Sequence, residues 1–83
     1  PNYYKRAEFK IRIKEYQSAL DDLNESISVS SAIEGYGNKL NGEAYLKRGF
    51  LKKQISGDTE GACLDWENSN KIFNVYDFLD DQD

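Results

Sequence analysis

The sequence has no histidine and no methionine, and only one cysteine, one proline and one tryptophan among its 83 residues. Without histidine, the chain lacks the commonest general base and the commonest transition-metal ligand in proteins. Its single cysteine, Cys63, has no second thiol for an intrachain disulfide and no imidazole to activate it as a nucleophile. We therefore expect no enzyme activity, no cofactor and no metal site.

The charge balance is acidic, with a formal net charge of −4 at pH 7. Nucleic-acid-binding surfaces need clustered Lys and Arg, so nucleic acid is not an expected partner. No apolar run approaches the roughly 20 residues that span a bilayer, so we expect a soluble chain without a membrane span. The chain starts at Pro1 and has no Met, which leaves open whether it is a fragment of a longer protein. Its location is unknown, and both the cytoplasm and a bacterial cell envelope stay open.

The strongest signal is a match of the chain to itself at an offset of 42 residues, which becomes 43 after a one-residue insertion. The identical pairs fall on aromatic, charged and small positions alike: Tyr3 with Tyr45, Arg6 with Arg48, Lys10 with Lys52, Ala19 with Ala62, Asp22 with Asp65 and Ser26 with Ser69. The sequence therefore contains two copies of one structural unit.

Each unit has the apolar spacing of two helices. Leu20, Leu23 and Ile27 form a stripe of period 3.6 in the first unit. In the second unit Gly57 can end one helix in the left-handed conformation, and Asp58 can cap the next. Lys14 and Glu15 occupy the same two positions in the first unit.

Small residues recur where two helices of a hairpin must approach closely, namely Ala7, Gly49, Ala19 and Ala62. We expect Trp66 and Cys63 to belong to the buried side of the second unit. We expect Asp22 and Asp65 to form hydrogen bonds from one hairpin to the other.

Two segments carry this pattern, YYKRAEFKIRIKEYQSALDDLNESI and YLKRGFLKKQISGDTEGACLDWENS, and they resemble the tetratricopeptide repeat of about 34 residues in a bacterial variant. The resemblance implies an all-α fold of antiparallel helix-turn-helix repeats stacked as a superhelix. A single domain would span residues 1–83, with repeat one at about 2–30 and repeat two at about 43–73. Ser26 and Ser69 replace the family's usual Ala, so packing there is expected to be slightly loose.

Two further segments lie outside the repeats. Residues 31–42 contain Gly35, Gly37 and the Asn41-Gly42 pair, which predict a flexible loop, with an extension of the preceding helix as the open alternative. Asn74 is placed to cap a short terminal helix at about 75–81.

The family resemblance implies that a partner protein or peptide binds the concave face made by the first helix of each repeat. Carried over by position, this face consists of Tyr4, Glu8, Ile11, Arg12, Leu46, Phe50 and Lys53. An alternative is that Leu46 and Phe50 merely pack against a neighbouring helix.

The family's clamp for the acidic ends of chaperones uses a Lys and an Asn, where this chain has Tyr4, Glu8, Leu46 and Phe50. The expected partner is therefore apolar or basic. Because two repeats are few for such a stack, self-association as a homodimer and service as a regulatory piece of a longer chain remain alternative functions.

Overall fold

The computed structural model describes residues 2–35 and 37–80, with side chains described as far as residue 74 except at position 34. This part of the chain forms four helices and no strand: α1 (Tyr3–Arg12), α2 (Tyr16–Glu34), α3 (Lys39–Ser56) and α4 (Thr59–Asp80). The predicted all-α fold class is confirmed.

Consecutive helices pack in antiparallel pairs. Arg6 bonds Asp22 and Lys10 bonds Ser18, so α2 runs back along α1. Helices α3 and α4 are also antiparallel, since Gly42 bonds Ser69 and Arg48 bonds Asp65. Helices α2 and α3 are antiparallel as well, and their hydrogen-bonded pairs are Ser31 with Asn41 and Asn24 with Arg48. The chain thus forms two helical hairpins, α1–α2 and α3–α4, that pack through α2 and α3.

The turn inside the second hairpin forms as predicted. Gly57 has a φ of 65°, in the left-handed region, and ends α3. The Asp58 carboxylate then accepts the backbone N–H of Gly61 at 2.9 Å, which satisfies one of the free donors at the start of α4.

The first hairpin turns through the same backbone conformation with a less suitable residue. Lys14 has a φ of 64°, although its side chain makes this region costly. Glu15 precedes α2 without capping it through its side chain. The two turns are therefore alike in path and different in residue chemistry.

The core lies between the hairpins. Six apolar residues with at most 6 % exposure form one cluster: Ala7, Ala19, Leu23, Ile27, Ala44 and Leu51. Partly buried Tyr4, Ile11, Tyr16, Leu20 and Tyr45 pack around it. Fully burying a Leu contributes about 1.5–3 kcal/mol, so Leu23 and Leu51 are major stabilising residues.

The predicted loop at 31–42 is wrong, and the open alternative of a helix extension describes the structure. Helix α2 continues through Glu34, and α3 already begins at Lys39. Gly35 has a φ of 88° and ends α2, while the Asn38 side chain bonds the Gly35 carbonyl at 2.6 Å and caps α3 by accepting the N–H of Asn41. The connection is short because these polar contacts close it locally.

The predicted separate helix at about 75–81 is also wrong. Helix α4 runs without a break from Thr59 to Asp80, so Asn74 lies inside it rather than at a cap. No Gly or Pro follows Gly61 in the sequence, and nothing else interrupts the hydrogen-bonded ladder. Residue 81 lies outside the described residues.

Cys63 is exposed, contrary to the prediction that it is buried. Its counterpart in the first hairpin, Leu20, packs against the core because α3 follows α2 on that side. In the part of the chain that the structure describes, no further helix follows α4, so the equivalent position faces solvent.

Candidate functional site

The predicted binding residues lie on one side of α1 and one side of α3, and all of them are half-buried or exposed. They follow helical steps of three and four residues on each helix, so each set shares a face. We call this surface the α1–α3 face. It consists of Tyr4, Glu8, Ile11 and Arg12 on α1 and Glu43, Leu46, Lys47, Phe50 and Lys53 on α3.

Contacts around Tyr4 join the two helices of this face. The Glu43 carboxylate lies near Tyr4, and Lys47 Nζ lies 5.8 Å from the centre of the Tyr4 ring. Burial, followed by the carboxylates of Glu43 and Glu8, raises the pKa of Tyr4 above its ordinary value. Tyr4 therefore stays a protonated donor throughout the physiological pH range.

An ion pair across the same helices adds to this contact. Lys47 Nζ lies 3.7 Å from Glu8 Oε2, with both side chains about a third exposed. Exposed pairs of this kind contribute little stability, typically below about 1 kcal/mol. The pair links α1 to α3 but is not a major source of stability.

Two large apolar side chains are exposed in the middle of the face. Leu46 is 49 % exposed and Phe50 is 45 % exposed, one helical turn apart on α3. Phe50 also meets the ring of Tyr16 on α2 edge to face, with ring centres 6.4 Å apart. Phe50 therefore does both things that the sequence left as alternatives: it packs against a neighbouring helix and presents almost half of its surface to solvent.

Of the remaining predicted residues, Ile11 packs against the core and the others are charged. Ile11 is partly buried against the core, so it connects the α1–α3 face to the hydrophobic core. Arg12 and Lys53 are exposed near the C-terminal ends of α1 and α3, and Glu43 lies near the N-terminal end of α3, whereas Glu8 lies in the middle of α1 and pairs with Lys47. The face therefore has an acidic end at Glu43 and a basic end at Arg12 and Lys53, with Leu46 and Phe50 between them.

The sequence reasoning missed Glu43 and Lys47. Both stand on the same stripe as Leu46 and Phe50, and their spacing of four residues is typical of a helical ion pair. Neither residue was predicted, because the positions carried over from the family on this helix were only Leu46, Phe50 and Lys53.

A groove opens beside Tyr4 because α2 is nine residues longer than α1. Its volume is about 340 Å³, and its walls come from the start of α1, the second half of α2 and the start of α3. The lining residues are Asn2, Tyr3, Tyr4, Ser26, Val29, Ser30, Ile33 and Leu40. Tyr4 belongs to both surfaces, so the groove extends the α1–α3 face at its acidic end.

Each hairpin also contains a buried carboxylate held by two cations. Arg6 Nε and Nη2 donate to the Asp22 carboxylate at 2.9 and 2.7 Å, and Lys10 Nζ lies 2.9 Å from it. The pKa of Asp22 is lowered to about 2, chiefly by the hydrogen bond from Arg6; burial opposes this effect, and the hydrogen bond from Lys10 adds to it.

The second hairpin repeats this arrangement. Arg48 Nε and Nη2 donate to the Asp65 carboxylate at 3.0 and 2.8 Å, and Lys52 Nζ lies 3.1 Å away. The predicted hydrogen bonds from one hairpin to the other are therefore wrong, because each Asp bonds the first helix of its own hairpin. These carboxylates are structural, since their oxygens are already engaged by two cations each.

The described residues contain neither a metal-binding cluster nor a helix that could cross a membrane. No group of three or more His, Cys, Asp or Glu side chains there is placed to hold a metal ion. None of the described helices combines the length and the apolar character that crossing a membrane requires.

Comparison with known proteins adds no relative: no family model, curated protein or solved structure matches the chain. The resemblance to tetratricopeptide repeats therefore depends on the residues of the chain itself.

Proposed function

We propose that this chain is a protein-binding module of the tetratricopeptide type, which holds a segment of a partner protein on its α1–α3 face. The observation that carries the proposal is the pair Leu46 and Phe50, two large apolar side chains that expose nearly half of their surface side by side on one helix. Adjacent exposed apolar side chains with polar groups around them are typical of interaction sites.

The face is also preorganised for binding. Phe50 packs against Tyr16, and Lys47 on α3 contacts both Tyr4 and Glu8 on α1. A surface whose side chains are already ordered loses less conformational entropy when a partner binds. Affinity can then come from a small apolar contact area.

The distribution of charge defines the chemistry of the partner. Apolar side chains of a bound peptide would cover Leu46 and Phe50, and a basic side chain would face Glu43. The exposed cations Arg12 and Lys53 at the other end would bind a carboxylate of the peptide. We therefore propose an apolar peptide with its basic residue toward the start of α3.

Binding rather than catalysis is the function that these residues favour. The two buried carboxylates, Asp22 and Asp65, are each engaged by an Arg and a Lys, and the one cysteine is exposed without a base beside it among the described residues. As a regulatory piece of a longer chain, the alternative function, this module would bind a segment of that same chain through the α1–α3 face.

Selection from a phage-displayed random peptide library against the intact chain tests the proposal. The affinity of the selected peptides would then be measured by fluorescence anisotropy for the wild type, Leu46→Asp and Leu64→Asp. Leu64 is a matched control because it is 57 % exposed, on α4, and receives the same change of size and charge. Circular dichroism would verify that both variants are folded.

We expect Leu46→Asp to weaken binding at least about tenfold, because a charge replaces a central apolar contact. Leu64→Asp should stay within about twofold of the wild type, as a distant exposed site does. Selected peptides that bind Leu46→Asp as well as the wild type, or a selection that yields no saturable binder, would contradict the proposal.

A further inference from the structure

The two hairpins place equivalent residues in different environments, and the clearest case is Phe9. By the repeat offset of 42, Phe9 on α1 occupies the position of Leu51 on α3. Leu51 is fully buried, whereas Phe9 is 58 % exposed. One position in the repeat is therefore core in the second hairpin and surface in the first.

The structure also shows what covers this position when it is buried. Leu51 belongs to the same core cluster as Leu23 and Ile27 of α2, with Leu20 packed against it. Helix α2 is the second helix of the preceding hairpin. No described helix precedes α1 on the corresponding side, so Phe9 has no cover. Ile13, the residue after the end of α1, is 49 % exposed against 39 % for its counterpart Ile55.

A polar contact marks the same interface. Besides its bonds to Asp65, Arg48 donates from Nη1 to the Asn24 side chain of α2 at 3.1 Å. Arg6, the equivalent residue, uses the same Nε and Nη2 for Asp22, but its side chain is 52 % exposed against 20 % for Arg48. The surface of α1 therefore carries the same hydrogen-bond donor, at Arg6, and an apolar residue at the same position, Phe9, as α3 has against α2.

The other end of the stack has the opposite character. The α4 residues equivalent to Leu20, Asn24, Ile27 and Ser31 are Cys63, Glu67, Asn70 and Asn74, and all four are exposed. This outer side of α4 has lost the apolar residues with which α2 covers α3. A second copy of the chain thus offers no suitable helix: its α4 is polar here, and its α2 is already covered by its own α3.

We propose that the edge of α1 formed by Arg6, Phe9 and Ile13 docks an amphipathic helix of a partner protein that resembles α2. Its apolar side chains would stand at the spacing of Leu20 and Ile27, with an amide or carboxylate acceptor between them at the position of Asn24 to receive Arg6 Nη1. This α1 edge is separate from the α1–α3 face, and the inference does not depend on the proposed function.

A synthetic peptide of residues 16–34, the sequence of α2, is the probe. It would be titrated into the isotope-labelled intact chain, with amide chemical shifts recorded by nuclear magnetic resonance. The variants are Phe9→Asp on the chain, Leu64→Asp as the control with nearly equal exposure, 57 % against 58 %, and Asn24→Ala in the peptide.

We expect saturable shifts at Arg6, Phe9 and Ile13, binding at least about tenfold weaker for Phe9→Asp, and a smaller weakening for Asn24→Ala in the peptide. Leu64→Asp should leave the titration unchanged. Leu46→Asp should also leave it unchanged, which separates this surface from the α1–α3 face.

Three results would overturn the inference. The first is the absence of saturable binding. The second is a set of shifts centred on Leu51, because the peptide would then be replacing the chain's own α2. The third is a concentration-dependent dimer of the chain alone that Phe9→Asp abolishes, because a second copy would then cover the edge.

Discussion

Gly49 lies directly against the indole of Trp66, so closely that a Cβ at position 49 would stand 2.6 Å from Trp66 Nε1 and 3.1 Å from the Ala62 carbonyl oxygen. The equivalent pair in the first hairpin is Ala7 and Leu23, both fully buried. The methyl group of Ala7 fits there because Leu is smaller than Trp. The two hairpins thus fill the same contact in different ways, one with a larger small residue and a smaller partner (Ala7 and Leu23) and the other with glycine and a larger partner (Gly49 and Trp66).

This contact predicts strong coupling between the two positions. Gly49→Ala should lower the free energy of unfolding by about 1–3 kcal/mol, because the methyl group must displace the indole. Introducing Trp66→Leu as well recreates the pair of the first hairpin and should recover at least about 1 kcal/mol of that loss. Urea unfolding followed by circular dichroism measures all four proteins of the cycle. Additive effects of the two substitutions would show that the contact is not as described.

The turn inside the first hairpin should be improvable. Lys14 holds a φ of 64°, where a side chain costs about 1 kcal/mol or more, and Gly57 holds the same conformation without that cost. Lys14→Gly should therefore raise the free energy of unfolding by about 0.5–1 kcal/mol. The reciprocal change, Gly57→Lys, should lower it by a similar or larger amount. Thermal unfolding of both variants gives the comparison, and a destabilised Lys14→Gly protein would refute the left-handed turn.

Acid should weaken the first hairpin through Asp22. Its pKa is about 2 in the folded chain and about 3.9 in an unfolded one, so the unfolded state takes up the proton first as the pH falls. The resulting stabilisation is fully present above about pH 5 and is lost as the pH falls toward 2. Asp22→Asn should flatten this part of the stability curve, measured by urea unfolding at several pH values. Asp21→Asn, at an exposed neighbour, is the control and should leave the slope unchanged.

The sequence was informative about features that belong to one helix or one turn. The apolar stripes, the small residues at close approaches and the Gly57-Asp58 turn all indicated helices that the structure contains. These features depend on local periodicity and backbone conformation, so the amino-acid pattern alone is sufficient to predict them.

Glycine was the main source of error, because its role depends on the tertiary contact. Gly35 ends α2, but Gly42 lies inside α3, where a Cβ would come within 3.1 Å of Ile72 and 3.2 Å of Phe73 on α4. Both glycines have the same signal in the sequence. Only the approach of α4 distinguishes a turn former from a close contact between helices.

The role of Ser69 likewise depends on a tertiary contact. Its replacement of Ala predicted loose packing, but the side chain is 1 % exposed and its hydroxyl donates to the Gly42 carbonyl at 2.7 Å. The prediction of loose packing at Ser69 is therefore wrong. A buried hydroxyl with a backbone partner strengthens the contact between α3 and α4, and the sequence does not reveal that partner.

For the α1–α3 face, the family resemblance indicated which positions face outward, and all of those residues are half-buried or exposed. The sequence could not predict how the two helices contact each other, because Tyr4, Glu43 and Lys47 meet only after α3 has packed beside α1. The exposure of Leu46 and Phe50 likewise depends on how closely Tyr16 approaches.

The most direct test of binding on the α1–α3 face is to map the contact of a library-selected peptide on the intact chain by nuclear magnetic resonance. The account predicts that the largest amide and methyl shifts fall on Tyr4, Leu46 and Phe50, with smaller ones toward Arg12 and Lys53. Intermolecular nuclear Overhauser effects should join apolar peptide side chains to Phe50. Shifts confined to the outer side of α4, around Cys63 and Leu64, would contradict it.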